Sequence, residues 1–123
     1  MDRDQAIHNF WSSFGIKAYD ENTVPDKAFE KNDDHYLTYA VINAGFNMPV
    51  LASASLWYRD TSWAAISAKA QQIGNYLGEG GTLVPYQDGA LWVKRGSPFA
   101  QRMGDEDDTV RRIYINVEFD YFS

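Results

Sequence analysis

The chain has 123 residues, the length of one domain, and its composition of 45% hydrophobic and 23% charged residues is typical of a globular protein. The net charge of -6 argues against a general nucleic-acid binder, because phosphate contacts need clustered cations. The absence of cysteine excludes disulfides, thiolate zinc sites and cysteine nucleophiles. We predict a single domain over residues 1–123. Its 15% aromatic content is high enough that some rings are expected to face a partner.

The N-terminus has the features of neither a membrane anchor nor a secretion signal. No run approaches the about 20 apolar residues that a membrane helix needs. Residues 1–5 lack the basic segment and apolar core of a signal peptide. We therefore expect a soluble protein made in a reducing cytoplasm.

The first predicted element is a short amphipathic helix that ends at Gly15. Its apolar stripe has the helical spacing i, i+3, i+4 and i+7 and consists of Ile7, Phe10, Trp11 and Phe14. Residues 16–34 are polar and rich in turn-forming residues, so we expect an excursion over the surface there.

A hairpin and a second helix follow. The strands of this hairpin are predicted at His35–Asn43 and Val50–Arg59, with a turn at 44–49. In the second strand one face holds Val50, Ala52, Ala54, Leu56 and Tyr58, and the other holds Leu51, Ser53, Ser55, Trp57 and Arg59. Thr61 or Ser62 is expected to cap the helix, and Gly78 to end it. Its apolar stripe is Trp63, Ile66, Ala70, Ile73 and Leu77.

Three further strands are predicted. Residues 83–86 and 90–94 form a hairpin around the Asp-Gly turn, residues Gly96–Thr109 form a long polar loop, and alternation over 111–122 marks the last strand. The predicted fold class is α+β, a mainly antiparallel sheet with two helices packed on one face, in the order α-β-β-α-β-β-β.

Few residues have the spacing of a reactive site. The run Asp105, Glu106, Asp107 and Asp108 could hold Mg²⁺ or Ca²⁺, but it lacks the spaced ligands and turn glycine of a calcium loop. His8 and His35 have no partner in a nucleophile or metal motif. Residues 78–81 are glycine-rich but follow a helix C-terminus, the wrong end for phosphate. We predict no catalytic residue, metal or cofactor.

The second half of the chain resembles the tail terminator proteins of long-tailed bacteriophages, also described as tail completion or minor tail proteins. Three segments carry the resemblance, which extends from about Pro25 to the C-terminus: 55–63 (SLWYRDTSW), 88–99 (DGALWVKRGSPF) and 111–119 (RRIYINVEF).

The resemblance implies a structural protein of the virion, encoded by a phage or prophage and present in the host cytoplasm during assembly. Tail terminators are α/β proteins that form hexameric rings, cap the tail tube and present a surface for head-tail joining. They have no enzymatic activity. The implied partners are other copies of the chain, the tail tube protein and the head-tail connector protein. DNA passes through the ring without being specifically bound.

Two groups of residues are candidates for such a ring. If the Gly96–Thr109 loop faces the channel, Asp105, Glu106, Asp107 and Asp108 give an acidic lumen that repels phosphate; a plain outer surface is the alternative. Candidate subunit contacts are Trp57, Arg59, Arg102, Arg112, Tyr114 and Phe122, because aromatic residues and arginine are enriched at interfaces. The aromatic residues and arginines of this face could instead cover the sheet against residues 16–34.

Three other functions fit the same sequence. The chain could be a head-tail connector or stopper, or a minor capsid protein. It could be a small metal-dependent enzyme that uses Asp105–Asp108 with Glu118 or Asp120, although a polar loop is a poor platform for two metal ions. It could also be a solitary ligand-binding domain with a deep apolar pocket.

Overall fold

The computed structural model describes residues 2–40, 50–87 and 89–122, with the backbone alone at Val50 and Leu51. It contains three helices and six strands within these ranges. In chain order the elements are α1 (Arg3–Ser12), β1 (Ala18–Asp20), α2 (Ala28–Lys31), β2 (His35–Tyr39), β3 (Val50–Arg59), α3 (Ala64–Leu77), β4 (Thr82–Tyr86), β5 (Gly89–Met103) and β6 (Val110–Phe122).

The strands form one curled sheet in the order β1-β2-β3-β6-β5-β4. Among the described strands, four of the five pairs are antiparallel, and β1 and β2 run parallel. The central pair joins β3 to β6, which lie far apart in the chain, over the full length Val50–Arg59. The structure thus confirms a mixed, mostly antiparallel fold, but the predicted element order was incomplete.

Residues 16–34, predicted as an irregular excursion, contain the extra strand and the extra helix. Strand β1 has three residues, and the Leu37 N–H bonds the Lys17 carbonyl oxygen at 2.8 Å next to it. Helix α2 has four residues. Elements this short contain too few residues to show a hydrophobic period, which is why the sequence did not reveal them. The predicted strand segment 41–43 and the turn 44–49 lie outside the described residues.

The prediction of a loop over Gly96–Thr109 was wrong for residues 96–103, because β5 continues to Met103. The register with β6 shifts between Arg95 and Ala100, which is a β-bulge. At this bulge the backbone of Gly96 crosses Asn116 so closely that a Cβ atom would lie 2.8 Å from the Asn116 Cβ. The Asn116 amide donates to the Pro98 carbonyl oxygen at 3.0 Å. The bulge breaks the two-residue alternation and so hid the strand.

Helices α1 and α3 pack on one side of the sheet, which we call the core face. Helix α1 begins with a capping box that the sequence analysis did not predict. The Asp2 side chain accepts a hydrogen bond from the Gln5 N–H at 2.8 Å. The cap predicted at Thr61 or Ser62 was wrong by position, because the N-cap of α3 is Trp63, which makes no side-chain cap hydrogen bond. Ser62 Oγ instead accepts from the Ala64 N–H at 3.1 Å from one residue before the cap. Both predicted helix stripes enter the core, which also contains Leu37, Ala52, Ala54, Leu56, Leu91, Val93, Ile113, Ile115, Val117 and Phe119.

The other side of the sheet, which we call the open face, carries the alternate residues of each strand. Helix α2 is the helix at this side: the Phe29 ring lies 5.0 Å from the ring of Tyr36, whose strand neighbour Leu37 is in the core. In the described part of the chain, no helix is both long and apolar enough to cross a membrane.

Candidate interaction surface

A row of side chains crosses the open face near the ends of the central strands. Cross-strand pairing places Tyr36 beside Trp57, Trp57 beside Arg112, and Arg112 beside Met103. The Tyr36 and Trp57 rings are stacked, with centroids 6.2 Å apart. The Arg112 guanidinium lies 4.6 Å from the Trp57 ring centroid and 5.9 Å from that of Tyr114. The Arg112 guanidinium thus makes cation–π contacts with two aromatic rings of this face.

Hydroxyl groups fix this row from the adjacent positions of the same strands. Trp57 Nε1 donates to Thr38 Oγ1 at 2.9 Å, and Arg112 Nε donates to Ser55 Oγ at 3.1 Å. Both acceptors are buried, with 9% of Thr38 and 4% of Ser55 exposed. The side chains surround a hollow of about 520 Å³ whose lining includes Thr38, Ser53, Ser55, Trp57, Arg112 and Tyr114. Burial, with a smaller contribution from the Asp105 carboxylate, raises the pKa of Tyr36.

Arg59 lies at the end of the open face, where it joins β3 to the segment around α2. Its Nη1 lies 2.9 Å from Glu30 Oε1, and its Nη2 forms an ion pair with Asp34. Its guanidinium also lies 5.4 Å from the ring centroid of Phe29. The hydrogen bond from Arg59 lowers the pKa of Glu30. Arg59 thus contacts residues of the segment 16–34, the segment named in the alternative prediction.

The lowered Glu30 pKa gives an expected pH dependence. The native state releases the Glu30 proton more readily than the unfolded chain, so this ion pair stabilises the fold above the ordinary value of 4.5. Its contribution is lost as the pH falls through the lowered pKa. We expect the urea resistance of Arg59→Gln to fall less than that of the wild type as the pH drops below 4.5. Without Arg59, the Glu30 pKa lies closer to its ordinary value, so less stability depends on its ionised form. The control Lys31→Gln should leave the wild-type pH profile unchanged, and equal profiles for all three proteins would contradict the assignment.

The opposite corner of the open face is apolar and exposed. Leu83 pairs with Trp92 across β4 and β5, and the Trp92 and Phe122 ring centroids lie 6.3 Å apart. The exposed fractions are 57% for Leu83, 40% for Trp92 and 47% for Phe122. Trp92 Nε1 donates to the Gly80 carbonyl oxygen at 2.7 Å, which anchors the indole beside β4. Exposed apolar side chains that contact one another are typical of interaction surfaces.

The acidic run lies in the short turn between β5 and β6. All four carboxylate residues, Asp105–Asp108, are exposed. Asp107 Oδ1 accepts from the Thr109 N–H at 2.8 Å and from Thr109 Oγ1 at 2.6 Å, and these bonds lower the Asp107 pKa. Within the described ranges, no three or more acidic or histidine side chains are placed to hold a metal ion. The turn is an exposed hairpin tip in which the carboxylates of Asp105 and Asp107 accept hydrogen bonds from the turn itself.

The outer part of β5 has one bare edge among the described strands. Strand β4 pairs with Gly89–Val93, whereas β6 continues along β5 to Met103. Beyond Val93 no described strand pairs with the other edge of β5, and residues 100–109 are all exposed. Beside this edge a hollow of about 370 Å³ lies between α3 and β5. Its lining includes Gly74 and Phe99, and the Phe99 ring lies so close to Gly74 that a Cβ atom added there would be 3.0 Å from it.

The six candidate contact residues do not form one cluster. Trp57, Arg112 and Tyr114 lie together, with Arg59 at the end of the same face. Phe122 belongs to the apolar corner. Arg102 lies on the core face instead, because it pairs with buried Ile113 and its guanidinium lies 4.6 Å from the Trp63 ring centroid.

The sequence prediction missed Tyr36 and Thr38. Both belong to the predicted strand, and the signal that could have revealed them is the alternation of residues 35–39, which places Leu37 on the core face and its two neighbours on the other.

With the geometry described, we compared the chain with known proteins. No protein-family model, curated protein or solved structure matched it.

Proposed function

We propose that this chain is a non-enzymatic virion assembly protein, a tail terminator that forms a ring, caps the tail tube and joins it to the head connector. Two things support the proposal: the resemblance of segments 55–63, 88–99 and 111–119 to tail terminators, and the outer hairpin of β5 and β6. The hairpin is the observation on which the proposal chiefly rests, because it combines a bare strand edge with an exposed acidic tip.

A ring requires two different surfaces on each subunit, since each copy contacts its neighbours head to tail. The chain offers two such surfaces. One is the bare β5 edge beyond Val93, whose backbone groups can pair with a neighbouring chain. The other is the open face, where Trp57, Arg112 and Tyr114 provide the residue types enriched at interfaces.

The acidic tip gives the ring its proposed relation to DNA. In a hexamer, Asp105–Asp108 would be repeated six times around the channel. A wall of carboxylates repels phosphate, so DNA would pass through without being held. This role accounts for exposed acids in a chain whose net charge is -6.

The test of the channel role removes the four charges and keeps the turn. In the variant Asp105→Asn, Glu106→Gln, Asp107→Asn and Asp108→Asn, the amide oxygens can still accept the bonds that Thr109 donates. Because the residues are exposed, we expect the variant to remain folded, with a urea unfolding transition close to that of the wild type. We also expect fewer infectious particles in a phage complementation assay. The control Asp26→Asn with Glu79→Gln should restore normal titres; normal titres for the four-residue variant would refute the acidic channel.

The partner is tested separately by binding to purified particles. We expect the wild-type protein to bind the ends of purified tail tubes, where electron microscopy should show a ring of six subunits. Preferential binding to isolated portal complexes would instead favour a head-tail connector or stopper. Binding to neither would contradict an assembly role at the neck.

A further inference from the structure

The exposed apolar side chains of the described residues are concentrated on one side of the molecule. The five large ones are Tyr76, Leu83, Trp92, Met103 and Phe122. Four of them lie on the open face, because Met103 pairs with Arg112, Leu83 pairs with Trp92, and Trp92 pairs with Asp120. Only Tyr76 belongs to the helical side. A surface that collects exposed apolar groups in this way is expected to be covered by another molecule.

Two opposite charges on the same face have no ion-pair partner within the described part of the chain. Arg112 and Glu118 both lie on the open side of β6, six residues apart. Arg112 uses its Nε for Ser55 and leaves both Nη groups without a carboxylate. Glu118 pairs in register with Lys94, but the Lys94 ammonium lies 2.8 Å from Asp120 instead. Within the described residues, β6 thus presents on this face one cation and one anion that form no ion pair, although Glu118 contributes at longer range to the raised pKa of Lys94.

The positions of these charges match a twofold axis. Ile115 lies midway between Arg112 and Glu118, each of which is three residues, or about 10 Å, along the strand. Two open faces can meet about a twofold axis that lies between the two sheets, runs perpendicular to β6 and passes over this midpoint. The two β6 strands then run in opposite directions. Arg112 of each copy then lies over Glu118 of the other, and two identical ion pairs form. Such a contact is self-complementary and closes at two subunits.

We infer that the open face is a self-association surface through which two copies of the chain pack face to face, with Arg112 of each paired to Glu118 of the other. The occupant is a second copy because the face itself supplies both charges in the symmetric positions that the contact needs. Met103 beside Arg112, and Trp92 one row beyond Glu118, surround the ion pairs with apolar surface that excludes water.

This dimer concerns the free protein and does not depend on a role in the tail. It uses one face twice, whereas a ring uses two different surfaces. A copy within the dimer has its open face covered, so the same face cannot contact any other partner at the same time.

The test uses the charge reversals R112E and E118R, measured by analytical ultracentrifugation. We expect the wild-type protein to dimerise and each single variant to dissociate, with a dimer dissociation constant at least about tenfold higher, because like charges then face each other. An equimolar mixture of the two variants should dimerise again, since both cross-copy pairs become attractive. The double variant R112E/E118R should also self-associate. The controls K31E and E79R make the same charge changes elsewhere and should leave the wild-type constant unchanged.

Three results would overturn the inference: a wild-type protein that stays monomeric at every concentration tested, single variants that dimerise like the wild type, or a mixture of folded single variants that stays monomeric. Circular dichroism establishes folding first, because Arg112 also supports Trp57 and Ser55. Should R112E not fold, E118R alone decides the question, since Glu118 has no ion pair within the described residues to lose. Its dimerisation at the wild-type constant would refute the pairing.

Discussion

Replacement of Leu56 by alanine is expected to lower the free energy of unfolding by about 2–5 kcal/mol, the usual cost of removing a leucine from a packed core. Leu56 is 0% exposed and lies on β3, at the centre of the sheet. It pairs with Leu37 on one side and Ile113 on the other, both of which are also in the core. The cavity has buried neighbours on two strands, so it cannot be filled by solvent. Urea unfolding followed by tryptophan fluorescence measures the loss.

The same substitution at Leu83 is the matched control. Leu83 is 57% exposed on the outermost strand β4, so its truncation removes little buried surface. We expect Leu83→Ala to change the unfolding free energy by no more than about 0.5 kcal/mol. Equal losses for the two variants would contradict the assignment of Leu56 to the core face and Leu83 to the open face.

Replacement of Gly81 by alanine is the second change with a large expected effect. Gly81 has a φ of 81°, a left-handed conformation that costs a residue with a side chain about 1–2 kcal/mol. An added Cβ would also lie 2.5 Å from Trp92 Nε1 and 2.6 Å from the Val93 carbonyl oxygen. Such overpacking typically costs a further 1–3 kcal/mol. The expected loss of unfolding free energy is therefore about 2–5 kcal/mol.

The adjacent Gly80 provides the control for this prediction. A Cβ at Gly80 would meet no atom within 4 Å, and Gly80 has no positive φ. Gly80→Ala should leave the unfolding free energy within about 0.5 kcal/mol of the wild type. A Gly81→Ala protein as stable as Gly80→Ala would show that the chain does not turn into β4 as described.

The elements that could be predicted from the sequence are those with a long hydrophobic period. The predicted first stripe, Ile7 to Phe14, is buried, although Phe14 lies just beyond the end of α1 at Ser12. The part of the α3 stripe from Ile66 to Leu77 is buried as well. The alternation of β3 and β6 placed Leu56 and Ile115 on the core face correctly. In each case burial of one face is the dominant favourable free energy, and the same burial produces the pattern in the sequence.

The elements that were missed depend on partners distant in the chain. Strand β1 exists because β2 offers it a free edge, and three residues contain no period that would reveal it. The second half of β5 is a strand because β6 pairs with it beyond the bulge at Gly96. Its side chains are mostly exposed there, so no apolar alternation marks it.

The candidate surface was predicted in its parts but not in its arrangement. Alternation along β3 and β6 placed Trp57 and Tyr114 on the face opposite the core, and the pairing agrees. The hollow between them also needs Tyr36 and Thr38 from β2, which only the strand register brings alongside. Arg102 could not be assigned correctly, because the bulge shifts the register and returns it to the core face beside Ile113.

The sequence by itself determined the two amphipathic helices, the two faces of β3 and β6, the acidic run and the aromatic excess. These are local properties, since one helical or strand period places each side chain inside or outside. Only the tertiary structure decided that Arg112 and Glu118 have no ion-pair partner among the described residues, and that the acidic run forms a hairpin tip. Those facts depend on the β5–β6 register and on which strand neighbours which, and contacts between distant segments set both.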